Sequence, residues 1–430
     1  MIKKYKVLIH LDELQRDYVF SHWIGSCLEN LGFEVAYCTR LTRKYLWRNW
    51  KPHAMLDSHI GYHSSESELK DLTSQTLLFL LPAEGLQFCV EHIHVPYSGL
   101  ENDKADYLKY LKRIFLWGEW QKSLLEKRKL FPPGLAIVTG NPKYDGINEY
   151  KRKPAEQRSV GIVGFFNGIN IFDDRNFLDF VYNLRNRQGI NFDWDGQVED
   201  FIWYQVGAFR LFMQVAEKLI EDGYTVSYRP HQLENRDNYE GFKKRFGNHF
   251  VVDDGRPFQD WLTRQHAVVL MKSTSIYESF LMGIPIITTE DMLPHLDEHM
   301  SIPNIRIPEL RYCWRPKSFP EILSLVSKAA EDKLAVCLDE GILRDRIQQY
   351  FQFPRKKASS WIIAEEIQKE CQKADQQGFY KKRSIWNDLS SIGARFVDRK
   401  FRAYEKKLPV KQRSFNIWKE EIYPKREKSD

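Results

Sequence analysis

Short apolar runs alternate with amphipathic segments along the first third of the chain. Residues 6–11 form an apolar run of strand length, residues 17–31 repeat apolar positions at helical spacing, and Gly32 closes that segment. Such alternation is typical of β-α-β units and predicts a parallel, doubly wound α/β domain. Further strands are predicted at 33–38, 76–81, 113–116 and 135–139, and helices at 103–112 and 119–129.

The same alternation resumes after a polar, charged stretch at 151–158, which contains a proline and is the best candidate for a linker. We therefore predict an N-terminal α/β domain over 1–150, a second α/β domain over 157–355 and a helical, basic extension over 356–430. The second domain has predicted strands at 160–165, 225–228, 249–252, 267–271 and 284–288, and helices at 201–221, 258–265, 319–331 and 340–350.

Length and cysteine usage indicate a protein of two domains with reduced thiols. A chain of 430 residues suggests two domains of ordinary size, and 43% apolar residues are enough for their cores. None of the six cysteines forms a Cys-x-x-Cys pair, which is typical of reduced thiols in a cytoplasmic protein. The apolar runs are too short for a signal peptide or a membrane span. We therefore expect a cytoplasmic location, which allows peripheral association with the inner face of the cell membrane.

The positive charge is concentrated at the C-terminus. Residues 371–430 carry 16 Lys and Arg against 8 Asp and Glu, although the whole chain has a net charge of only +6. Basic residues interleaved with aromatic ones suit an anionic membrane surface, and RNA is a further alternative. A solvated helical face with its aromatic side packed on the body explains the pattern equally well. Aromatic and large apolar residues of this tail include Phe379, Tyr380, Ile385, Trp386, Phe396, Phe401, Tyr404, Phe415 and Trp418.

Two carboxylates follow predicted strands of the N-terminal domain. Glu84 comes after the strand at 76–81, and Asp145 after the strand at 135–139. Ligands bind at the carboxyl ends of parallel strands, so both side chains are expected at one edge of the sheet. Paired carboxylates suit glycosyl chemistry, as acid/base and nucleophile. The spacing alone favours the structural alternative, in which Glu84 caps a helix and Asp145 lies in a turn.

The second domain offers an anion site. Arg229 and His231 follow the strand at 225–228, and a hydroxyl-rich turn follows the strand at 267–271, where a helix begins. Free backbone N–H groups at a helix start favour an anion, and a cation with an imidazole would complete a clamp for a diphosphate or phosphodiester. The alternative is a core histidine. The turn consists of Ser273, Thr274 and Ser275.

Glu278 lies about one turn into the helix that follows, where it could accept hydrogen bonds from ribose hydroxyls. The structural alternative is an acidic residue that complements the helix dipole. No Asp-x-Asp element stands at a strand end, and the histidines lack zinc-ligand spacing. We therefore predict no essential metal.

Several motifs together resemble a known family. The chain resembles the bacterial surface-carbohydrate biosynthesis proteins related to the retaining β-Kdo transferases of capsule and O-antigen assembly. The resemblance covers residues 75–290. The motifs are, in order, Trp117-Gly118-Glu119, 138–145 (VTGNPKYD), Arg229-Pro230-His231, 273–278 (STSIYE) and Gly283-Ile284-Pro285.

This resemblance implies a GT-B fold, in which two Rossmann-like domains face a cleft. It also implies metal-independent transfer of a sugar from a CMP-activated ulosonic acid donor to a glycan or lipid-linked glycan, with no further cofactor and no nucleic acid partner. Asp145 would attack the anomeric carbon and Glu84 would be the acid/base. Glu278 would contact the ribose, and the CMP phosphate would be held by Arg229, His231, Ser273, Thr274 and Ser275.

Three other functions remain open. A CDP-glycerol or CDP-ribitol phosphotransferase of the teichoic-acid type would share the phosphate clamp of the second domain. A non-hydrolysing UDP-sugar 2-epimerase would share the fold. A non-catalytic assembly or export partner could keep the fold, although the presence of Glu84, Asp145 and His231 speaks against it.

Overall fold

The structure is a computed structural model, and it describes residues 5–11, 14–39, 42–59, 65–82, 107–127, 132, 134–147, 150, 158–166, 169–170, 197–231, 234–253, 257–271, 273–293, 307–353 and 356–380. The chain divides into two compact units. The first consists chiefly of Met1–Gln87, Glu91–Asp145 and Arg346–Asp430, and the second of Gly146–Asp345.

The first unit is built on a six-stranded parallel sheet with strand order β2-β1-β3-β4-β5-β6. Successive residues of β1 point to opposite faces: Val7 and Ile9 enter one apolar core, and Leu8 enters the other. A sheet buried on both faces explains the near-continuous apolar runs of its strands. The strands are β1 (Lys6–Leu11), β2 (Glu34–Thr39), β3 (Ala54–Asp57), β4 (Leu77–Leu80), β5 (Leu111–Leu116) and β6 (Ala136–Val138).

The second unit is built on a five-stranded parallel sheet with strand order β11-β10-β7-β8-β9. The order reverses between β7 and β10, so the topological switch point lies between these two neighbours. The strands are β7 (Ser159–Val163), β8 (Thr225–Arg229), β9 (Phe250–Val252), β10 (Ala267–Leu270) and β11 (Ile286–Thr288).

Helices connect the strands and cover the sheets. The described α-helices are α1 (Leu14–Asn30), α2 (Arg43–Trp50), α3 (Glu66–Thr73), α4 (Glu119–Lys127), α5 (Gln197–Glu221), α6 (Glu240–Phe246), α7 (Phe258–Leu262), α8 (Ser275–Leu281), α9 (Phe319–Ala330), α10 (Glu340–Phe351) and α11 (Ser359–Gln376). The predicted fold class, α/β with two doubly wound parallel sheets, is confirmed. In the described part of the chain, no helix is long and apolar enough to cross a membrane.

The last helix, α11, belongs to the core of the first unit. Ile363, Ala364 and Ile367 are fully buried in the same apolar cluster as α1 and one face of the sheet. Arg113 of β5 pairs with Glu366, at 3.0 Å, and with Glu370. The C-terminal region predicted as an extension is thus helical where it is described, and it is packed there. Residues 381–430 lie outside the described part, so the predicted roles of the basic tail stay predictions.

Local patterns misplaced or missed some elements. The helix predicted at 103–112 overlaps β5, which begins at Leu111, because Lys112 and Arg113 inside the strand interrupt its apolar run. The four residues of β3 are all buried, and so short a run shows no period of its own. The short helices α2 and α3 were likewise not predicted.

Candidate functional site

The carboxyl edge of the second sheet brings together several of the residues predicted for nucleotide binding. Gly164 follows β7, Arg229 ends β8, and Ser273 begins the turn after β10. The strand order places β7 between β8 and β10, so these residues stand at neighbouring strand ends. The backbone N–H of Gly164 donates to the carbonyl of Arg229 at 2.8 Å, which holds two of these ends together.

Arg229 is held in one orientation. Its Nη1 lies 2.8 Å from Oδ2 of Asp253, and the side chains of the two residues are only 16% and 3% exposed. The guanidinium also lies over the rings of Phe258 and Trp261, with its carbon 5.1 and 5.8 Å from their centroids. The ion pair and the two rings therefore hold a cation at the carboxyl end of β8.

His231 is half-buried and follows Pro230 at the start of the loop after β8. Its backbone N–H donates to Oε1 of Glu234 at 2.9 Å. The loop that carries the imidazole is therefore anchored through its main chain within the second unit.

The hydroxyl-rich turn is organised by its own side chains. Oγ of Ser273 accepts the backbone N–H of Ser275 at 3.2 Å and donates to Oγ of Ser275 at 2.7 Å. The N–H groups of Ile276 and Tyr277 donate to the carbonyls of Ser273 and Thr274. These three N–H groups at the start of the seven-residue helix α8 have partners inside the turn. The N–H groups of Ser275, Ile276 and Tyr277 are therefore not the free donors expected from the sequence, and the turn offers hydroxyls beside them.

Glu278 and Thr274 differ sharply in exposure. Thr274 is exposed beside the half-buried Ser273 and Ser275, whereas Glu278 is buried, with 1% of its surface accessible. Glu278 lies on the buried side of α8, so its contact with a ribose stays a prediction.

In the first unit, Asp145 caps a distant helix. Its Oδ1 accepts the backbone N–H of Ser359 at 2.8 Å, and its Oδ2 accepts that of Ser360 at 2.6 Å. Both N–H groups belong to the first turn of α11, where helical backbone donors lack intrahelical partners. Burial raises the pKa of the Asp145 carboxyl, and the bonds from the two serines act in the opposite direction.

The predicted partner of Asp145, Glu84, lies outside the described residues, so the pairing of the two carboxylates stays a prediction. Asn141, just upstream, caps the short 3-10 turn Pro142–Tyr144 through its side chain, which accepts from the N–H of Lys143 at 3.0 Å. This turn places Asp145 opposite the start of α11. Across the parts of the chain that are described, no group of three or more His, Cys, Asp and Glu is arranged to hold a metal ion.

No family model matches the sequence, and a search of curated proteins finds no relative. Among solved structures, a variant of the wall teichoic acid polymerase TagF soaked with CDPG has a TM-score of 0.50 at 9% identity, covering 86% of this chain and 89% of that chain. The chain therefore has a GT-B fold. UDP-GlcNAc 2-epimerase of Methanocaldococcus jannaschii, in complex with UDP-GlcNAc and UDP, has a TM-score of 0.46 at 8% identity over 85% of this chain and 100% of that chain. S. aureus MnaA with UDP has a TM-score of 0.48 at 11% identity over 84% and 95%. At such identities the likeness concerns the fold alone.

Glu234 of this GT-B chain was not predicted to have a role. It is 1% exposed, and its Oε1 accepts the backbone N–H groups of Phe166 and His231, each at 2.9 Å. Its Oε2 accepts the hydroxyls of Tyr228, at 3.1 Å, and Tyr239. Burial raises the pKa of this carboxyl. No sequence pattern distinguishes it, because a glutamate in a polar loop is common.

A second buried network lies at the switch point of the first sheet, between β1 and β3. Nδ1 of His10 lies 3.0 Å from Oδ1 of Asp57 and 2.7 Å from Oγ of Ser58. Nη1 of Arg43 lies 3.2 Å from Oδ2 of Asp57. The available signal in the sequence was a lone histidine at the end of an otherwise apolar strand.

Proposed function

We propose that this protein is a transferase that uses a nucleotide-activated donor in the assembly of a bacterial surface polysaccharide. The donor nucleotide is CMP-linked and binds along the carboxyl edge of the second sheet. The transferred sugar is an ulosonic acid of the Kdo type, and the acceptor is a glycan or a lipid-linked glycan.

One observation carries this proposal. The switch point of the second sheet lies between β7 and β10, and the strand ends around it carry Gly164, Arg229 and Ser273. In doubly wound sheets, nucleotides bind outside the carboxyl ends of the strands at this point. A cation and hydroxyls at these strand ends suit a phosphate group.

Five of the six predicted residues have a part in donor binding here, and the contact of Glu278 with the ribose stays a prediction. Arg229, oriented by Asp253, supplies a positive charge for the donor phosphate. Thr274 and Ser275 supply hydroxyl donors, Ser273 orients the Ser275 hydroxyl by donating to it, and His231 supplies an imidazole. A variant of TagF that was soaked with CDPG shares the fold of this chain, which supports a nucleotide-activated donor.

The proposed chemical step uses the two predicted carboxylates, Asp145 and Glu84. In the retaining reaction, an oxygen of Asp145 attacks the anomeric carbon as the bond to the CMP phosphate breaks, and CMP leaves with the electron pair. The acceptor hydroxyl then displaces Asp145, and Glu84 takes its proton. For this reaction, Asp145 must release at least one of its bonds to α11.

A second candidate function is phosphotransfer from a CDP-alcohol, and the bonding of Asp145 favours it. A carboxylate whose two oxygens both accept helix N–H groups is less available as a nucleophile, because those bonds stabilise its charge. Phosphotransfer to a hydroxyl needs no glycosyl nucleophile, so Asp145 could remain a helix cap throughout.

Thermal shift with nucleotides tests the donor class. A ligand that binds only the native state at 100 times its Kd stabilises it by about 2.7 kcal/mol. We expect CMP to raise the melting temperature and UDP or GDP to leave it unchanged. A larger shift with UDP would contradict the cytidine assignment. CMP release from CMP-Kdo, compared with release from CDP-glycerol in the presence of a glycan acceptor, then separates glycosyl transfer from phosphotransfer.

A further inference from the structure

The carboxyl group of Glu234 joins two loops at the ligand edge of the second sheet. One loop follows β7 and contributes the N–H of Phe166, and the other follows β8 and contributes the N–H of His231. The hydroxyls of Tyr228 and Tyr239 donate to the other oxygen. Four donors match the four acceptor positions of an ionised carboxylate, so each position of the buried group is used.

We propose that Glu234 is the positioning residue of the donor site: it fixes the main chain at Phe166 and His231 so that both loops are preformed for the nucleotide. This inference rests on the proposed function, because the loops matter only if the nucleotide binds at this edge. Glu234 itself is buried and does not touch the donor.

The surroundings of Glu234 leave little freedom for these loops. A Cβ atom at Gly164 would clash with the hydroxyl of Tyr228 and approach Oε1 of Glu234, so the chain after β7 lies directly against the network. The N–H of Gly164 also donates to the carbonyl of Arg229. Loops that are ordered before binding cost less conformational entropy when the ligand arrives. The network therefore contributes to affinity without a contact of its own.

Three variants test whether Glu234 positions the donor site or only stabilises the fold. Glu234→Met keeps the volume but removes both acceptors, so the N–H groups of Phe166 and His231 lose their partner. Glu234→Gln keeps Oε1 for both N–H groups and is the conservative rescue. Tyr239→Phe removes one hydroxyl on the Oε2 side, leaves the two loop bonds intact, and is the matched control.

The assay is the Kd of CMP by isothermal titration calorimetry on the intact protein, well below the melting temperature of each variant. We expect Glu234→Met to weaken CMP binding at least tenfold, and Glu234→Gln and Tyr239→Phe to stay within threefold of the wild type. If Glu234→Met does not fold, Glu234→Asp, whose shorter side chain pulls the carboxylate away from the loops, takes its place with the same expectation.

The measured Kd values test the positioning role of Glu234 separately from the proposed donor site. If the wild type binds CMP and Glu234→Met or Glu234→Asp binds it equally well, the positioning role is overturned while the proposed donor site stands. If Tyr239→Phe weakens binding as much as Glu234→Met does, the effect follows stability and the positioning role is again overturned. A wild type that binds no pyrimidine nucleotide would overturn both proposals.

Discussion

Replacing Asp145 measures how strongly this residue holds α11 on the first unit. Asp145→Ala removes both acceptors from the N–H groups of Ser359 and Ser360, which are bonded at 2.8 and 2.6 Å. Hydrogen bonds to a charged group contribute about 1.5–3 kcal/mol each, and an ordinary helix cap about 1 kcal/mol. Because Asp145 is only partly buried, we expect a combined loss of about 2–4 kcal/mol in the free energy of unfolding.

Urea denaturation monitored by circular dichroism gives this loss, and hydrogen exchange of the 359–376 segment localises it to α11. Ser65→Ala is the matched control, because Ser65 caps α3 with a single bond from the N–H of Glu68 at 3.2 Å. That variant should lose about 1 kcal/mol. If Asp145→Ala costs no more than Ser65→Ala, or if exchange of α11 is unchanged, the long-range cap is refuted.

The Asn variant of the same residue separates its two roles. Asp145→Asn keeps one acceptor oxygen, so we expect roughly half of the loss in stability found for alanine. If Asp145 is the nucleophile, Asp145→Asn abolishes sugar transfer while CMP binding survives. If Asp145 is only a helix cap, turnover below the melting temperature is retained, which would favour phosphotransfer.

Three further predictions follow from the packing. Burial raises the pKa of Glu234 in the folded protein, so the stability that this shift contributes is present at low pH and is lost as the pH rises through the folded pKa. The free energy of unfolding of the wild type should therefore rise relative to that of Glu234→Gln as the pH falls from 7 towards 4.5. A difference between the two proteins that stays constant with pH in urea denaturation would contradict this. Arg113→Met removes the cation that joins Glu366 and Glu370, although Glu366 keeps Lys369 at 3.3 Å, and should cost roughly 1–3 kcal/mol in urea denaturation; no loss would refute the anchoring of α11 by β5. Gly164→Ala should destabilise by about 1–3 kcal/mol, because its Cβ meets Tyr228. Gly207→Ala in α5, whose nearest neighbour would be 3.9 Å away, should stabilise by about 0.5–1 kcal/mol. Thermal melts of the two glycine variants should therefore move in opposite directions, and shifts of the same sign would contradict the packing.

Local sequence patterns predicted most of the sheet elements because their strands are buried on both faces. The run at 6–11 became β1 with the predicted bounds, and the strand predicted at 225–228 became β8, which ends at Arg229. Strand order, and with it the switch point beside Gly164, required the structure, because pairing between parallel strands leaves no local signal.

The candidate site was predictable only in part. Arg229, His231 and the hydroxyl turn were found from their position after strands, since ligand sites concentrate there. The bonds of Asp145 to α11 join residues that are far apart along the chain, and the role of Glu234 depends on contacts of a loop residue that has no sequence pattern of its own. Ser359 is 214 positions from Asp145 along the chain, and a contact of that range is set by packing rather than by spacing.

Hydrogen exchange of the intact protein with saturating CMP tests the central claim most directly, because it locates the nucleotide. With CMP bound we expect slower exchange in the segments 164–166, 229–231 and 273–279 of the second unit, and no comparable protection with UDP. Protection confined to other segments, or stronger protection by UDP, would contradict a cytidine nucleotide at the carboxyl edge of the second sheet.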